Sequence, residues 1–216
     1  MNEQTITQNK KYNVKLFPIY KAISWDLLFY YAVSFLFLTQ VKRLSASDVL
    51  FVDAFYPIFK FVLQIPCTFL INKLGNRKCL IIGNLTVASS ILALILSNNM
   101  IILIFSQFLS ALGYALKNLT ETTLLYDSIE NGSKRNDLFS LIDGKGSSYY
   151  YYVDAITSLT TGFLFVFNGY LPMLICFFLC LASTTLSLKF KDVIVVKKEV
   201  SKISLKTNLY DIKERL

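Results

Sequence analysis

Six long apolar stretches occupy most of this chain, and charged residues lie inside four of them. A helix of about 20 apolar residues is long enough to cross the hydrocarbon core of a bilayer, which is about 30 Å thick. Ionisable groups at that depth are costly and usually face the protein interior or a water-filled path. The sequence therefore predicts an all-α integral membrane protein in which four helices surround a polar route and two face lipid. The predicted spans are residues 16–38, 47–71, 78–97, 100–123, 148–169 and 171–189.

Composition and charge also favour a membrane protein. Hydrophobic residues make up 54% of the 216 residues, and the mean hydropathy of +0.51 is high for a soluble domain. The net charge of +8 is unevenly placed, because 18 of the 22 Lys and Arg residues lie on one side of the predicted spans and only Lys42 and Arg43 on the other. By the positive-inside rule, both termini are cytoplasmic in a multi-pass protein of the cell membrane. The basicity is then a topology signal, and no nucleic-acid partner is predicted.

The chain divides into a short tail, a helical bundle and a basic end. We expect a cytoplasmic tail over residues 1–15, a six-helix transmembrane bundle over 16–190 and a cytoplasmic amphipathic segment over 191–216. The first apolar stretch is too long for a cleavable signal peptide. Turn-forming residues at 97–99 and 168–172 predict two tight helical hairpins on the external side. The longer polar connection at 127–147 is expected to hold a short surface helix around residues 138–142.

Several kinds of chemistry have no support in the sequence. The chain contains no His, which removes histidine-based acid–base catalysis and the usual zinc sites. Cys176 and Cys180 are spaced like metal ligands on one helix face, but nothing completes such a site, and packing is the better interpretation. No phosphate-binding loop of the P-loop type is present. We predict neither an enzyme nor a metal or cofactor.

Polar residues recur at helical spacing on spans 2, 4 and 5, so each set forms one face of its helix. Asp26 and Lys60 lie deepest in their spans, and we expect them to lie at similar depth and to neutralise one another. Charges nearer the cytoplasmic end cost less because long side chains reach the interface. Ser, Thr and Tyr on these faces are equally explained by hydrogen bonds between helices. The predicted substrate or ion pathway comprises Asp26, Asp53, Lys60, Gln64, Gln107, Tyr114, Glu121 and Asp154.

The order of charged and uncharged spans repeats along the chain. Spans 1 to 3 run charged, charged, neutral, and spans 4 to 6 run in the same order. With three spans in each set, the two sets have opposite orientations. Inverted repeats of this kind are common in secondary transporters. The sequence therefore predicts a 3+3 inverted-repeat bundle.

The connection between spans 2 and 3, Leu70–Lys78, resembles the signature loop of the major facilitator superfamily. It departs from that pattern at Asn72, where the family usually has Asp, and at Thr68, where it usually has Gly. The resemblance covers residues 12–216 and implies the amino-terminal six of twelve helices, which is half of the fold of that family. The matching residues, with the acidic residue that closes span 4, imply a cytoplasmic gating loop formed by Lys73, Gly75, Arg77, Lys78 and Asp127.

What the resemblance implies for mechanism is more specific. In the family, charge contacts of this loop hold the outward-facing state, which implies that Arg77 pairs with Asp127. Gln107 stands where many members have an Arg linked to proton coupling. That difference argues against drug/proton antiport.

These features predict secondary active transport of a small solute by alternating access, coupled to a proton or another ion. The missing partner is then a carboxy-terminal six-helix half. The alternative is a non-transporting six-helix accessory or immunity protein, and an oligomeric channel is a third option. The sequence is compatible with a fragment, a truncated gene product or a complete protein.

The charge distribution makes the topology testable. On a background without native cysteines, single cysteines in the tail, at residues 73–78 and at 127–147 should react only with reagents that reach the cytoplasm. Cysteines at 97–99 should react with impermeant reagents added outside. External labelling at position 134 or 201 would contradict the six-span topology.

Overall fold

The computed structural model describes residues 3–193, and these form eight α-helices with no β-strand among them. Four helical segments are long and apolar enough to cross a bilayer: Ala46–Leu74, Asn76–Leu96, Met100–Ser128 and Leu171–Lys189. The chain is thus all-helical, as the sequence predicts, and has the character of a multi-pass membrane protein. The predicted amphipathic segment beyond residue 193 lies outside the described residues. The helices are α1 Glu3–Ser24, α2 Ser34–Leu36 continued by a π-helical turn Phe37–Val41, α3 Ala46–Asp53, α4 Phe55–Leu74, α5 Asn76–Leu96, α6 Met100–Ser128, α7 Arg135–Phe167 and α8 Leu171–Lys189.

Three apolar clusters lie one above another along the bundle. The end of the bundle where the Lys- and Arg-rich connections lie is called the basic end of the bundle. It holds Phe17, Tyr20, Leu80, Leu124, Leu125, Ile129, Ile142 and Phe190. A middle cluster joins Leu27, Val87, Ala88, Ile91, Tyr114, Cys176 and Cys180. The hairpin end, where residues 97–99 and 168–170 connect the helices, holds Val33, Phe37, Leu38, Val49, Val52, Leu94, Leu103 and Met173.

Two further segments run the length of the bundle alongside the four apolar ones. Phe17 packs at the basic end and Phe37 at the hairpin end, so the first predicted span joins the two ends. Helix α7 does the same, with Ile142 in the basic-end cluster and Phe165 packed against the hairpin-end cluster. Six segments therefore traverse the bundle. That the two less apolar segments also cross a membrane stays a prediction.

The first span is a broken helix, and the prediction of one helix over 16–38 is wrong. Helix α1 ends at Ser24, and helical structure resumes only at Ser34. Between them, Phe29 has a φ of 65°, a left-handed conformation that a bulky residue rarely adopts. The segment 25–33 contains neither Gly nor Pro. The cause of the break therefore lies in contacts of this segment with other helices.

Helix α7 begins at Arg135, so the separate surface helix predicted around 138–142 is wrong. A Cβ placed on Gly146 would lie 2.9 Å from Cδ of Lys21, which shows how closely α1 packs here. The Lys21 ammonium pairs with Asp143, one turn away along α7. These contacts with α1 stabilise helical structure over the polar residues before the predicted span.

Helices α5 and α6 make the closest helix–helix contact, at Gly83 and Gly113. A Cβ on Gly113 would lie 2.6 Å from Cγ2 of Val87 and 2.9 Å from the carbonyl oxygen of Gly83. Small residues at a crossing let two backbones approach within van der Waals distance, which favours helix association in lipid. Around this pair, α4 packs on α6, α8 packs on α5, and α1 packs on α7.

The predicted turns are confirmed. Gly75, with a φ of +85°, separates α4 from α5. Only residues 97–99 lie between α5 and α6, and only residues 168–170 lie between α7 and α8. At the hairpin end, the Lys42 ammonium donates to the carbonyls of Ile95 at 2.6 Å and Ser97 at 2.8 Å, where it meets the negative end of the α5 dipole. Burial lowers the pKa of Lys42.

Replacing Gly113 with Ala should destabilise the bundle by about 1–3 kcal/mol, because the added methyl group overlaps Val87 and the α5 backbone. Unfolding in a mixed detergent, followed by circular dichroism, measures the change. Gly162→Ala is the matched control, since a Cβ there meets nothing within 4 Å. Equal effects of the two substitutions would contradict the close helix crossing.

Candidate functional site

Side chains of α6 satisfy the polar groups at the break in the first span. The Lys117 ammonium donates to the carbonyl oxygen of Trp25 at 3.2 Å. The Asp26 Oδ1 atom accepts from the Tyr114 hydroxyl at 2.8 Å, the Tyr31 hydroxyl at 2.9 Å and the backbone N–H of Leu27 at 2.8 Å. Non-helical backbone at membrane depth is tolerated only where it is buried in protein or lines a cavity. Both conditions are met here.

A cavity of about 200 Å³ adjoins this break. Tyr31 is 59% exposed, so the cavity reaches the surface of the bundle. On its wall, the Gln107 amide donates to Asp53 Oδ1 at 2.9 Å. The lining combines polar, aromatic and aliphatic side chains. Its lining residues are Leu27, Tyr30, Tyr31, Ser34, Asp53, Tyr56, Ser90, Ile91, Leu94, Ser106, Gln107 and Ser110.

Asp53 reaches the cavity from a joint between two helices. Helix α3 ends at Asp53 and α4 begins at Phe55. Pro57 has no N–H to donate to the carbonyl of Asp53, four residues earlier, so the helix cannot continue unchanged through this point. The joint presents the Asp53 carboxylate to Gln107 on α6.

A row of alternating charges runs from the break towards the basic end. Lys117 is attracted by the charges of Glu121 and Asp26, and Glu121 in turn by those of Lys117 and Lys21. Lys21 ends the row by pairing with Asp143 at 2.5 Å. Lys117 is 2% exposed and Glu121 6%. Opposite charges offset part of the cost of burial, but Glu121 Oε1 accepts no hydrogen bond, and within residues 3–193 neither Lys117 nor Glu121 forms an ion pair.

The structure brings together half of the predicted pathway. Asp53 and Gln107 line the cavity, and Asp26 and Tyr114 are joined to its wall through Tyr31. Glu121 belongs to the charge row. Of the remaining predicted residues, Gln64 is exposed on α4 and Asp154 is half-buried on α7, and neither lines the cavity. Lys60 does not line it either, but its ammonium lies 5.5 Å from the centroid of the ring of Tyr56, which does.

The predicted pairing of Asp26 with Lys60 is wrong. Within residues 3–193 the ion pairs are Lys21–Asp143 and Arg77–Asp192. Tyr114 and Lys117 of α6 occupy the position beside Asp26 that the prediction gave to Lys60. Depth within the span was a poor guide to burial, because Asp26 and Lys60 are half-buried whereas Lys117 and Glu121 are 2% and 6% exposed. Depth also did not identify the neighbouring helix.

The predicted contact between Arg77 and Asp127 is also wrong. Arg77 donates to Asp192 Oδ2 at 2.9 Å and to the carbonyl of Leu188 at 3.1 Å. Asp127 instead accepts from the Asn76 amide at 3.4 Å. The chain after α8 folds back over the basic end and places Asp192 nearer to Arg77. In the same loop, Lys73, Gly75 and Lys78 are exposed.

Sequence reasoning missed several residues that shape the site. Lys21 was interpreted as a topology signal and Asp143 as part of a loop, yet the two form a buried contact. Tyr30, Tyr31 and Tyr56 line the cavity but were not assigned to it. The spacing of Lys117 and Glu121, four residues apart on one helix, was a signal for the charge row.

The sequence matches no protein-family model, and no curated protein resembles it significantly. What the chain does is therefore argued from the geometry of its own residues.

Lys117→Met should destabilise the bundle by about 3 kcal/mol, because it leaves Glu121 and the Trp25 carbonyl buried without their cation. Adding Glu121→Gln should recover part of that loss, since the uncompensated carboxylate is then neutral. A double-mutant cycle of detergent unfolding measures the coupling. Lys60→Met, at a half-exposed position, is the control, and strictly additive effects of the first pair would contradict the charge row.

Proposed function

We propose that this chain is one half of a secondary transporter that moves a small solute across the cell membrane by alternating access. The observation that carries the proposal is the non-helical segment 25–33 in the middle of the bundle, beside a polar cavity. Interrupted helices at the bilayer midplane are where secondary transporters bind substrates and coupling ions. A bundle with a purely structural role gains nothing from a non-helical segment, which costs free energy because its backbone groups lack helical hydrogen bonds.

Helix packing supports the proposed inverted repeat. A 3+3 repeat exchanges span 1 with 4, span 2 with 5 and span 3 with 6. The contact of span 2 with span 4 then corresponds to a contact of span 5 with span 1. Helix α4 packs on α6, and α1 packs on α7, as this exchange requires. Together with the resemblance of Leu70–Lys78 to the signature loop, this favours half of a major facilitator fold.

The exposed faces of α4 and α7 support a second half as the partner. Phe61 and Ile65 on α4 are 79% and 70% exposed, and Leu159 and Phe163 on α7 are 77% and 74% exposed. The cavity opens beside α4, so a second bundle placed there would close it. In this proposal the remaining apolar surface faces lipid, and the basic end with both termini faces the cytoplasm.

Asp26→Asn should reduce solute flux by about tenfold or more while the protein still inserts in the membrane, because the carboxylate holds the break and faces Lys117. Flux is measured in proteoliposomes that hold the complete transporter, this chain together with its second half, with electrogenic currents recorded for a panel of amino acids, sugars and organic ions. Asp137→Asn, at an exposed position, is the control.

Cysteine accessibility tests alternating access separately. A single cysteine at Ser34 or Ser110, both on the cavity wall, should react with impermeant reagents from either side of the membrane. A chain that moves no solute, reacts from one side only and co-purifies with a membrane protein would instead be an accessory or immunity protein.

A further inference from the structure

We propose that the cavity binds a small organic cation, with Asp53 as its counter-charge and tyrosine rings as its walls. As a statement about the transported solute, this rests on the proposed function. As a statement about binding, it rests on the cavity alone.

Asp53 carries a negative charge that no protein cation compensates. Its hydrogen-bond partner is the neutral amide of Gln107, and none of the described residues that line the cavity is basic. Asp26, by contrast, faces Lys117, and Asp143 pairs with Lys21. A carboxylate beside a cavity without a countercharge favours a ligand that brings one.

Lys60 does not fill this role. It lies about two turns after Asp53 on the same segment, with its ammonium 5.5 Å from the centroid of the Tyr56 ring. The ion pairs within residues 3–193 do not include it.

Aromatic rings supply the rest of the site. Tyr30, Tyr31 and Tyr56 line the cavity together with Asp53, and Tyr30 feels the charge of Asp53. The face of an aromatic ring is negative, and organic ammonium groups bind to such faces near a carboxylate. The rest of the lining is uncharged: four serine hydroxyls, the Gln107 amide and aliphatic side chains lie beside the rings. A volume of about 200 Å³ is below the range usual for drug-sized ligands, so the cation is small.

Choline and its uncharged isostere 3,3-dimethyl-1-butanol test the charge directly. The two probes differ in a quaternary nitrogen against a carbon, so apolar contacts are matched. We expect choline to bind the chain in lipid nanodiscs at least about tenfold more tightly than the alcohol, by isothermal titration calorimetry. Trp25, the single tryptophan, lies next to Asp26 and provides a second signal through its fluorescence.

Variants assign the effect to the proposed residues. Asp53→Asn should lose the preference for choline while binding of the alcohol is unchanged. Tyr30→Leu should weaken choline binding by roughly fivefold, and Tyr30→Phe, which keeps the ring, should restore it. Asp137→Asn is the surface control, and circular dichroism confirms that each variant is folded.

The proposal is overturned if choline fails to bind, if the alcohol binds equally well, or if Asp53→Asn retains the preference. These equilibrium measurements need no flux. Binding without transport would therefore support the cation site and reject the proposed function. Transport of uncharged solutes only would support the proposed function and reject the cation site.

Discussion

The architecture depends on how the polar groups at one break in the first predicted span are satisfied. Unpaired backbone groups in an apolar environment cost several kcal/mol each. Lys117 binds the Trp25 carbonyl, and Tyr114 binds the side chain of Asp26. Both come from one face of α6, the helix that also carries Gln107 to the cavity. Helix α6 therefore stabilises the break and shapes the cavity, which explains why the two features are adjacent.

The charge row gives the break an electrostatic connection to the basic end. Lys117 and Glu121 are buried and Asp26 and Asp143 are half-buried, and an opposite charge acts on each charge along this row. Neutralising Asp26, by a proton or by a bound cation, would leave Lys117 with Glu121 as its remaining partner.

The sequence predicted the features that depend on hydropathy and turn chemistry. The apolar helices α5, α6 and α8, both hairpins and the turn at Gly75 follow from these alone, as does the presence of Asp53 and Gln107 on polar faces. The broken first span was not predictable, because residues 25–33 contain no helix breaker and the break arises from contacts with α6. Spacing places a residue on a face but does not name the neighbouring helix, which is why Asp26 was paired with Lys60.

The way the chain leaves the bundle has a mechanical consequence. After the buried Phe190, the backbone of Lys191 exchanges two hydrogen bonds of 2.9 Å with the Asn13 side chain, and Asp192 holds Arg77. The exit is therefore fastened to α1 and to the start of α5 at once. Any pull on the residues that follow must either break these bonds or move both helices together. A force on the residues after 193 would therefore act directly on α1, the helix that ends at the break.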